Sequence, residues 1–174
     1  VKSPNAAQSK ALAALKAWNL VNSPASEGAT IFENWVLTLQ SCLWDDEFAY
    51  DEKVPMNRPT MDRTIQLMKS EPASRWWDDL KTPKKESMSD IVMKSLQANI
   101  DTLVKQHGPQ GPEWAWFKHK QTGVRHLIPG MDALSRLNIP IGGGGTIVNA
   151  ATTKTGPSWR LIVELSKDGK PKAY

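Results

Sequence analysis

The chain has 174 residues, a formal net charge of +4 and 40% hydrophobic residues. That length suits one domain or a piece of a larger one, and the apolar content supports a packed core and excludes wholesale disorder. The charge excess is mild and includes no long basic run, so the sequence indicates no nucleic-acid partner. It also contains no apolar run of about 18 residues, as a membrane helix needs, and so indicates no membrane partner.

The single cysteine, Cys42, excludes an internal disulfide and leaves no cysteine cluster for zinc. It lies in an amphipathic pattern, which favours a small buried apolar residue over a reactive thiol. The chain begins at Val1 and shows no signal peptide. We therefore expect either a processed chain or a fragment of a longer protein.

Tryptophan is unusually frequent. Each tryptophan offers a large apolar surface and one N–H group that needs a partner when it is buried. Such a density favours a large core or an inter-chain interface, and the alternative is a tryptophan-rich binding module for glycans or for an aromatic or protein partner. The eight tryptophans are Trp18, Trp35, Trp44, Trp76, Trp77, Trp114, Trp116 and Trp159.

Helical patterns dominate the first part of the chain, residues 1–108. The most regular one follows Thr30, where Thr30 and Glu33 fit a capping box at the start of a helix. Apolar residues then recur at helical spacing and predict one buried face. This stripe consists of Phe32, Trp35, Val36, Leu39 and Leu43.

Four further helices are predicted. One covers residues 8–20 with Ala11 inward, and another follows Thr60 with Ile65 and Leu67 or Met68 inward. A third is EPASRWWDDLK at 71–81, where proline suits the first turn. The fourth runs from Ser89 and ends with Gly108. The acidic run at 45–52 lacks the oxygen spacing and the glycine of a calcium loop, so it is interpreted as a solvated loop.

Residues 109–174 are predicted to be mainly loops and strands. Trp114 and Trp116 alternate as in an extended segment, and residues 131–137 suggest a short helical turn. Strands are predicted at 146–150 and 159–165, followed by a turn at 167–170 and the start of a last strand. Helices first and strands last give an α+β fold class.

The stretch IGGGGTIVNAA contains Gly142, Gly143, Gly144 and Gly145 in succession. A phosphate-binding P-loop needs a lysine after its last glycine, and a dinucleotide fingerprint needs a following helix. Neither is predicted here, because Thr146 and a presumed strand follow. The glycines are therefore interpreted as a backbone device that admits positive φ and a close approach of the chain.

Other candidate site residues have plainer explanations. Ser158 lacks the G-x-S-x-G frame of a nucleophile elbow, and the three histidines lack a metal-binding spacing. Asn149 follows the glycines and suits either a substrate carbonyl or the neighbouring backbone. Glu164 is a carboxylate within the apolar run LIVEL, so either its face of the strand is wet or the carboxylate has a partner in an interior site. No self-sufficient catalytic set is found.

The segment GGGGTIVNAATTKTGPSWRLIVEL resembles the late β-chain region of the penicillin acylase family, which are N-terminal-nucleophile hydrolases. The shared features are the glycine-rich turn, a strand with Asn149, the run Gly156, Pro157, Ser158, Trp159 and Arg160, and an apolar strand ending in an acidic residue. The earlier run ALAALKAWNLVNSPASEGATIFENWVLTLQ is similar to the family's helix–Trp–loop–helix passage. The resemblance covers roughly residues 8–45 and 120–174.

The resemblance implies that residues 1–174 are a fragment of one acylase β-chain domain. The predicted strands would belong to an αββα sheet sandwich completed by chain that is not present here. It implies a periplasmic or secreted precursor that is cut autocatalytically. The partners would be the rest of the β chain, the α chain and a small N-acyl substrate, either a β-lactam antibiotic or an acyl-homoserine lactone.

The resemblance also implies that the reaction uses an N-terminal serine as nucleophile and its own amine as base. Val1 is no such residue, so no catalytic residue is expected in this chain and the segment alone is expected to be inactive. No cofactor or metal is expected in the segment, and a structural calcium would belong to the rest of the enzyme. In some branches a glutamate at a position like Glu164 orients an active-site histidine, which is the one functional role transferred here.

Overall fold

Helices dominate the part of the chain that the computed structural model describes, which comprises residues 3–48, 57–154, 156, 161–167, 169–170 and 172–173. The α-helices are α1 (Ala6–Ala17), α2 (Glu27–Trp44), α3 (Met61–Ser70), α4 (Met88–His107) and α5 (Trp116–Lys120). Short 3-10 helices cover Arg75–Trp77, Pro112–Trp114 and Asp132–Leu134. Strands β1 (Val163–Glu164) and β2 (Lys172–Ala173) pair antiparallel, with Glu164 opposite Lys172.

The core lies on both sides of the contact between α2 and α4. One cluster joins these helices to α1 and to the 3-10 helix at 112–114, and the other joins them to α3 and to the 3-10 helix at 75–77. Burying these side chains supplies the main apolar contribution to stability. The first cluster comprises Ala11, Ile31, Leu96, Ile100, Leu103 and Trp114, and the second Leu39, Leu43, Trp44, Leu67, Trp77 and Ile91.

Helix α2 begins earlier than the sequence pattern predicted. Its N-cap is Ser26, whose side chain accepts a hydrogen bond from the Ala29 amide at 3.1 Å. Thr30 is therefore inside the helix and buried, and the predicted capping box at Thr30 is wrong. The earlier start gives the core Ile31, whereas Phe32 remains 38% exposed. Ser26 lies four residues before Thr30, at the point where the loop ends and the helix begins. It therefore caps the helix in place of the threonine.

Two other helical predictions need correction. Helix α3 buries Leu67, but Ile65 is 38% exposed and does not face the core. The segment 71–81 forms only one 3-10 turn, Arg75–Trp77, instead of a helix. The carboxylate of Asp78 accepts from the Glu86 amide at 2.9 Å and that of Asp79 from the Lys81 amide at 3.0 Å. These side-chain bonds compete with helix formation.

Helix α4 matches its predicted segment and is one residue longer at its start. Ser87 is the N-cap, and it forms a reciprocal capping box with Asp90. At the other end Gly108 caps the helix with φ of 77°, a conformation that favours glycine.

The last third of the described chain contains less extended structure than predicted. Residues 112–120 form a 3-10 turn followed by α5, so the extended interpretation of Trp114 and Trp116 is wrong. Residues 146–150 form turns and bends instead of a strand. The Asn149 carbonyl accepts from the amides of Gly144 and Ala151, at 3.0 and 2.7 Å, and these local bonds close the backbone into a loop.

Strand β1 is short and open to solvent. Leu161, Ile162, Val163 and Leu165 are 55%, 57%, 46% and 85% exposed, and Glu164 is exposed as well. The described residues therefore place Glu164 on a wet face and give it no interior site. The α+β sequence pattern corresponds here to a mostly helical chain with one small antiparallel pair, and the larger sheet sandwich is not among the described residues.

The two N-caps Ser87 and Thr60 offer a matched test of helix initiation. Ser87 caps α4 with its side chain, whereas the Thr60 side chain makes no cap hydrogen bond to α3. We expect Ser87→Ala to lower the free energy of unfolding by about 1 kcal/mol, and Thr60→Ala to change it by only about a few tenths. Urea unfolding of the 174-residue chain measures both, and equal effects would contradict the capping assignment.

Candidate functional site

The glycine loop, defined as residues 142–151, turns at Gly143. This residue has φ of 91°, and its N–H donates to the Asn22 carbonyl at 3.0 Å. A Cβ atom at Gly143 would collide with the carbonyl oxygen of Asn149, and one at Gly142 would collide with that of Asn22. Both positions therefore require glycine, Gly143 for its conformation as well as for space.

The last two glycines are less constrained. The Gly144 amide donates to the Asn149 carbonyl at 3.0 Å, and a Cβ at Gly144 would lie 3.3 Å from the side-chain nitrogen of Asn22. Gly145 is exposed, and a Cβ there would meet nothing closer than 3.6 Å. The close approach is thus concentrated in the first half of the run.

Helix α5 holds the glycine loop through two side chains. Lys120 is only 5% exposed, and its ammonium donates to the carbonyl of Gly142 at 2.7 Å and to that of Ala151 at 3.1 Å. A longer bond of 3.4 Å reaches the Gly143 carbonyl, which also accepts from the Trp116 indole N–H at 2.6 Å. Both ends of the loop are therefore tied to one cation.

Burial changes the protonation equilibrium of the Lys120 ammonium. Removal from water lowers the pKa of Lys120 below its ordinary value. The carbonyl oxygens compensate for the lost hydration, and the Trp116 ring lies 5.7 Å from the ammonium, within the range of a cation–π contact. The loop thus presents carbonyl oxygens to a cation, while the amides of Gly143 and Gly144 are bonded within the chain. Such an arrangement suits an internal lysine and does not suit a phosphate.

Two histidines from different helices meet beside this loop. His107 at the end of α4 and His119 in α5 are joined by a 2.9 Å contact between Nε2 of the first and Nδ1 of the second. The other nitrogen of His119, Nε2, lies 2.9 Å from the side-chain nitrogen of Asn34 in α2. The Trp116 ring stacks on His119 with centroids 5.9 Å apart.

The hydrogen bonds define the tautomer of His119. The Asn34 side chain also donates to the Thr30 carbonyl at 2.9 Å, which identifies the shared atom as the amide nitrogen. It therefore donates to Nε2 of His119, so the ring proton lies on Nδ1 and points to His107. Burial, and secondly the neighbouring His107, lowers the pKa of His119 to about 4. The ring is neutral at pH 7 and serves as a connector between three helices.

An apolar groove opens next to His119. We call it the α2–α5 groove; its walls are the outer side of α2, the loop before it, α3, α5 and the turn at 146–147. Its volume is about 690 Å³. The apolar side chains that line it include Leu20, Phe32, Leu37, Ile65, Trp116 and Ile147.

Those residues singled out from the sequence that the structure describes do not form one site. Gly142–Gly145 and Asn149 belong to the glycine loop, whereas Gly156 lies in the open, where an added Cβ atom would have no neighbour within 4 Å. Glu164 is exposed on β1. Pro157, Ser158, Trp159 and Arg160 lie outside the described residues.

Sequence reasoning missed the groups that are closest together. Trp116, His119 and Lys120 lie in a segment that is predicted to form loops and short extended pieces, because WAWFKHK lacks a clear helical period over its short length. Their partners are 12 to 85 residues away in the chain, so no local spacing could reveal them. One signal was present: aromatic and basic residues are interleaved within this short run.

The described residues contain no group of three or more potential metal ligands. Among the same residues no helix is long and apolar enough to cross a membrane.

The family model described as penicillin amidase matches residues 2–174, and the chain belongs to that family. No solved structure matches the chain.

Three curated relatives carry the name acyl-homoserine lactone acylase QuiP. The protein from Pseudomonas putida is 27% identical over 82% of this chain and 18% of its own length. That from Pseudomonas fluorescens is 30% identical over 94% of this chain and 22% of its own length. The Pseudomonas syringae protein is 30% identical over 53% of this chain and 13% of its own length. The chain thus spans about a fifth of the length of the first two relatives.

Gly143 and Gly145 form a matched pair for testing the loop. Gly143→Ala puts a side chain into a left-handed conformation and against a carbonyl oxygen, and we expect it to lower the free energy of unfolding by more than about 1 kcal/mol. Gly145→Ala has space and an ordinary backbone, so it should be nearly neutral. Chemical unfolding of both variants measures the difference, and similar losses would refute the assignment.

His119 predicts a pH effect on stability. Its folded pKa of about 4 lies below the ordinary value of 6.5, so the unfolded chain binds its proton first. The contribution of neutral His119 to the free energy of unfolding is therefore complete above pH 6.5 and is lost as the pH falls toward 4. We expect His119→Gln to reduce the fall in unfolding free energy between these values. His126→Gln, at an exposed histidine, is the matched control. Parallel profiles for wild type and His119→Gln would contradict the prediction.

Proposed function

We propose that this chain is a structural, non-catalytic segment of a penicillin amidase-type amidohydrolase that cleaves the amide bond of N-acyl substrates. The family match over residues 2–174 is the observation that carries this proposal. The relatives' name favours acyl-homoserine lactones over β-lactam antibiotics as the substrates of the complete enzyme. In this proposal the nucleophile, an N-terminal serine, and any calcium belong to the remainder of the enzyme.

The internal bonding of the reactive side chains supports a structural role. The Lys120 ammonium is bonded to backbone carbonyls, and both ring nitrogens of His119 are bonded to other side chains. A general base or a nucleophile needs a lone pair that reaches the substrate. These groups instead connect the helices and the glycine loop.

The strand region extends the proposal. Residues 1–108 form the helical part of one β-chain domain, and the 109–174 part contributes loops and β1 to a sheet that other parts of the enzyme complete. Apolar residues on both faces of a strand are typical of sheets covered on both sides. In an extended run that alternated, Leu161 and Ile162 would lie on opposite faces, and both are more than half exposed here. Glu164 would then reach an active-site histidine only in the complete enzyme.

The tryptophans support the same conclusion over a glycan-binding module. All seven described tryptophans are buried or half-buried. Six donate their indole N–H within the chain, as Trp35 does to Ser95 and Trp44 to Thr64. Glycan platforms need exposed indole rings, whereas these rings pack against other parts of the chain.

The test compares the full-length protein that contains these residues with the 174-residue chain. Each is incubated with N-dodecanoyl-homoserine lactone and with benzylpenicillin, and the released amine is measured. We expect the full-length protein to release homoserine lactone and the shorter chain to release no amine from either substrate.

Two results would contradict the proposal. Amide hydrolysis by the 174-residue chain would show that the segment holds its own catalytic set. A correctly folded full-length protein that cleaves no N-acyl amide would refute the activity. A preference for benzylpenicillin would retain the amidohydrolase class and reject the lactone substrate.

A further inference from the structure

The α2–α5 groove exposes several large apolar side chains to solvent. Leu20 is 78% exposed and Leu37 is 64% exposed, and Ile147 on the opposite wall is 40% exposed. Large contiguous apolar patches on soluble proteins mark binding surfaces, because exposing them to water is unfavourable. The groove is therefore a candidate binding surface.

The polar groups of the groove restrict which charged groups a bound partner can carry. The carboxylate of Glu33 accepts from the Asn22 side chain at 2.7 Å, and Asn34 is bonded to His119. His119 is neutral at pH 7 because burial lowers its pKa to about 4. No cation is among the described residues that line the groove, so a carboxylate or phosphate on a ligand would find no counter-charge there.

We propose that the α2–α5 groove is the docking surface for another part of the same, longer polypeptide, a segment without acidic groups that inserts aliphatic or aromatic side chains. The inference rests on the proposal that this chain works inside a longer acylase, and it identifies the surface where the two parts meet. The first two relatives are about five times longer than the region they share with this chain. A tethered segment also binds at a high effective concentration, so it is a stronger occupant than a free partner.

Cysteine labelling of the full-length protein tests the groove directly. Leu37→Cys reports on the groove, and Leu80→Cys reports on an equally exposed leucine, 61% against 64%, that does not line it. Each variant is treated with a maleimide, natively and in urea, and modification at that residue is quantified by mass spectrometry. We expect native folding to slow labelling at residue 37 by roughly tenfold or more, and to slow it far less at residue 80.

Labelling at residue 37 that is as fast in the native protein as in urea would overturn the proposal. Fast native labelling that slows when N-dodecanoyl-homoserine lactone is added would also overturn it, because the groove would then be a ligand site. The measurement does not require turnover. A protein that cleaves no N-acyl amide but protects residue 37 would refute the proposed function and retain the docking surface.

A charge substitution gives a second measurement. Leu37→Asp should leave an aspartate buried in the docked interface and lower the yield of folded full-length protein severalfold, whereas Leu80→Asp should not. Equal yields of the two variants would contradict docking in the groove.

Discussion

The buried ammonium of Lys120 is the interaction on which the second half of the described structure depends. It binds carbonyls at both ends of the glycine loop, Gly142 and Ala151, which are nine residues apart. Without the cation the carbonyl oxygens that converge there would repel one another and would lose this hydrogen-bond donor. The lysine thus converts an otherwise flexible glycine run into a defined turn.

In the helical half, tryptophan side chains likewise bond backbone carbonyls of neighbouring loops. Their rings fill the core, and their N–H groups bond loops and helix ends, as in Trp77 to the Glu71 carbonyl and Trp114 to the Gly108 carbonyl. One side chain thereby fixes both the packing of a helix and the path of the loop beside it. This double role gives a structural reason for the many tryptophans in a chain with short irregular connections.

The helical part follows closely from local pattern, and the departures have local causes. The helical spacing found α2 and α4, but the start of α2 depends on which of two hydroxyl side chains caps it. Segment 71–81 has a helical composition, yet Asp78 and Asp79 bind backbone amides instead. The fold as a whole leaves apolar surface at the α2–α5 groove and at β1, in keeping with membership of a family whose relatives are much longer.

The amino-acid sequence by itself determined the helical stripes, the glycine that ends α4 and the need for glycine at the turn, because these depend on neighbours within a few residues. It also carried the family resemblance through the glycine run and its flanking motifs. Only the tertiary structure decided that Lys120 is buried against the glycine loop and that His107, His119 and Asn34 meet. Those contacts join residues from different helices, and their hydrogen bonds and the depressed pKa of His119 arise only when packing removes water from around them.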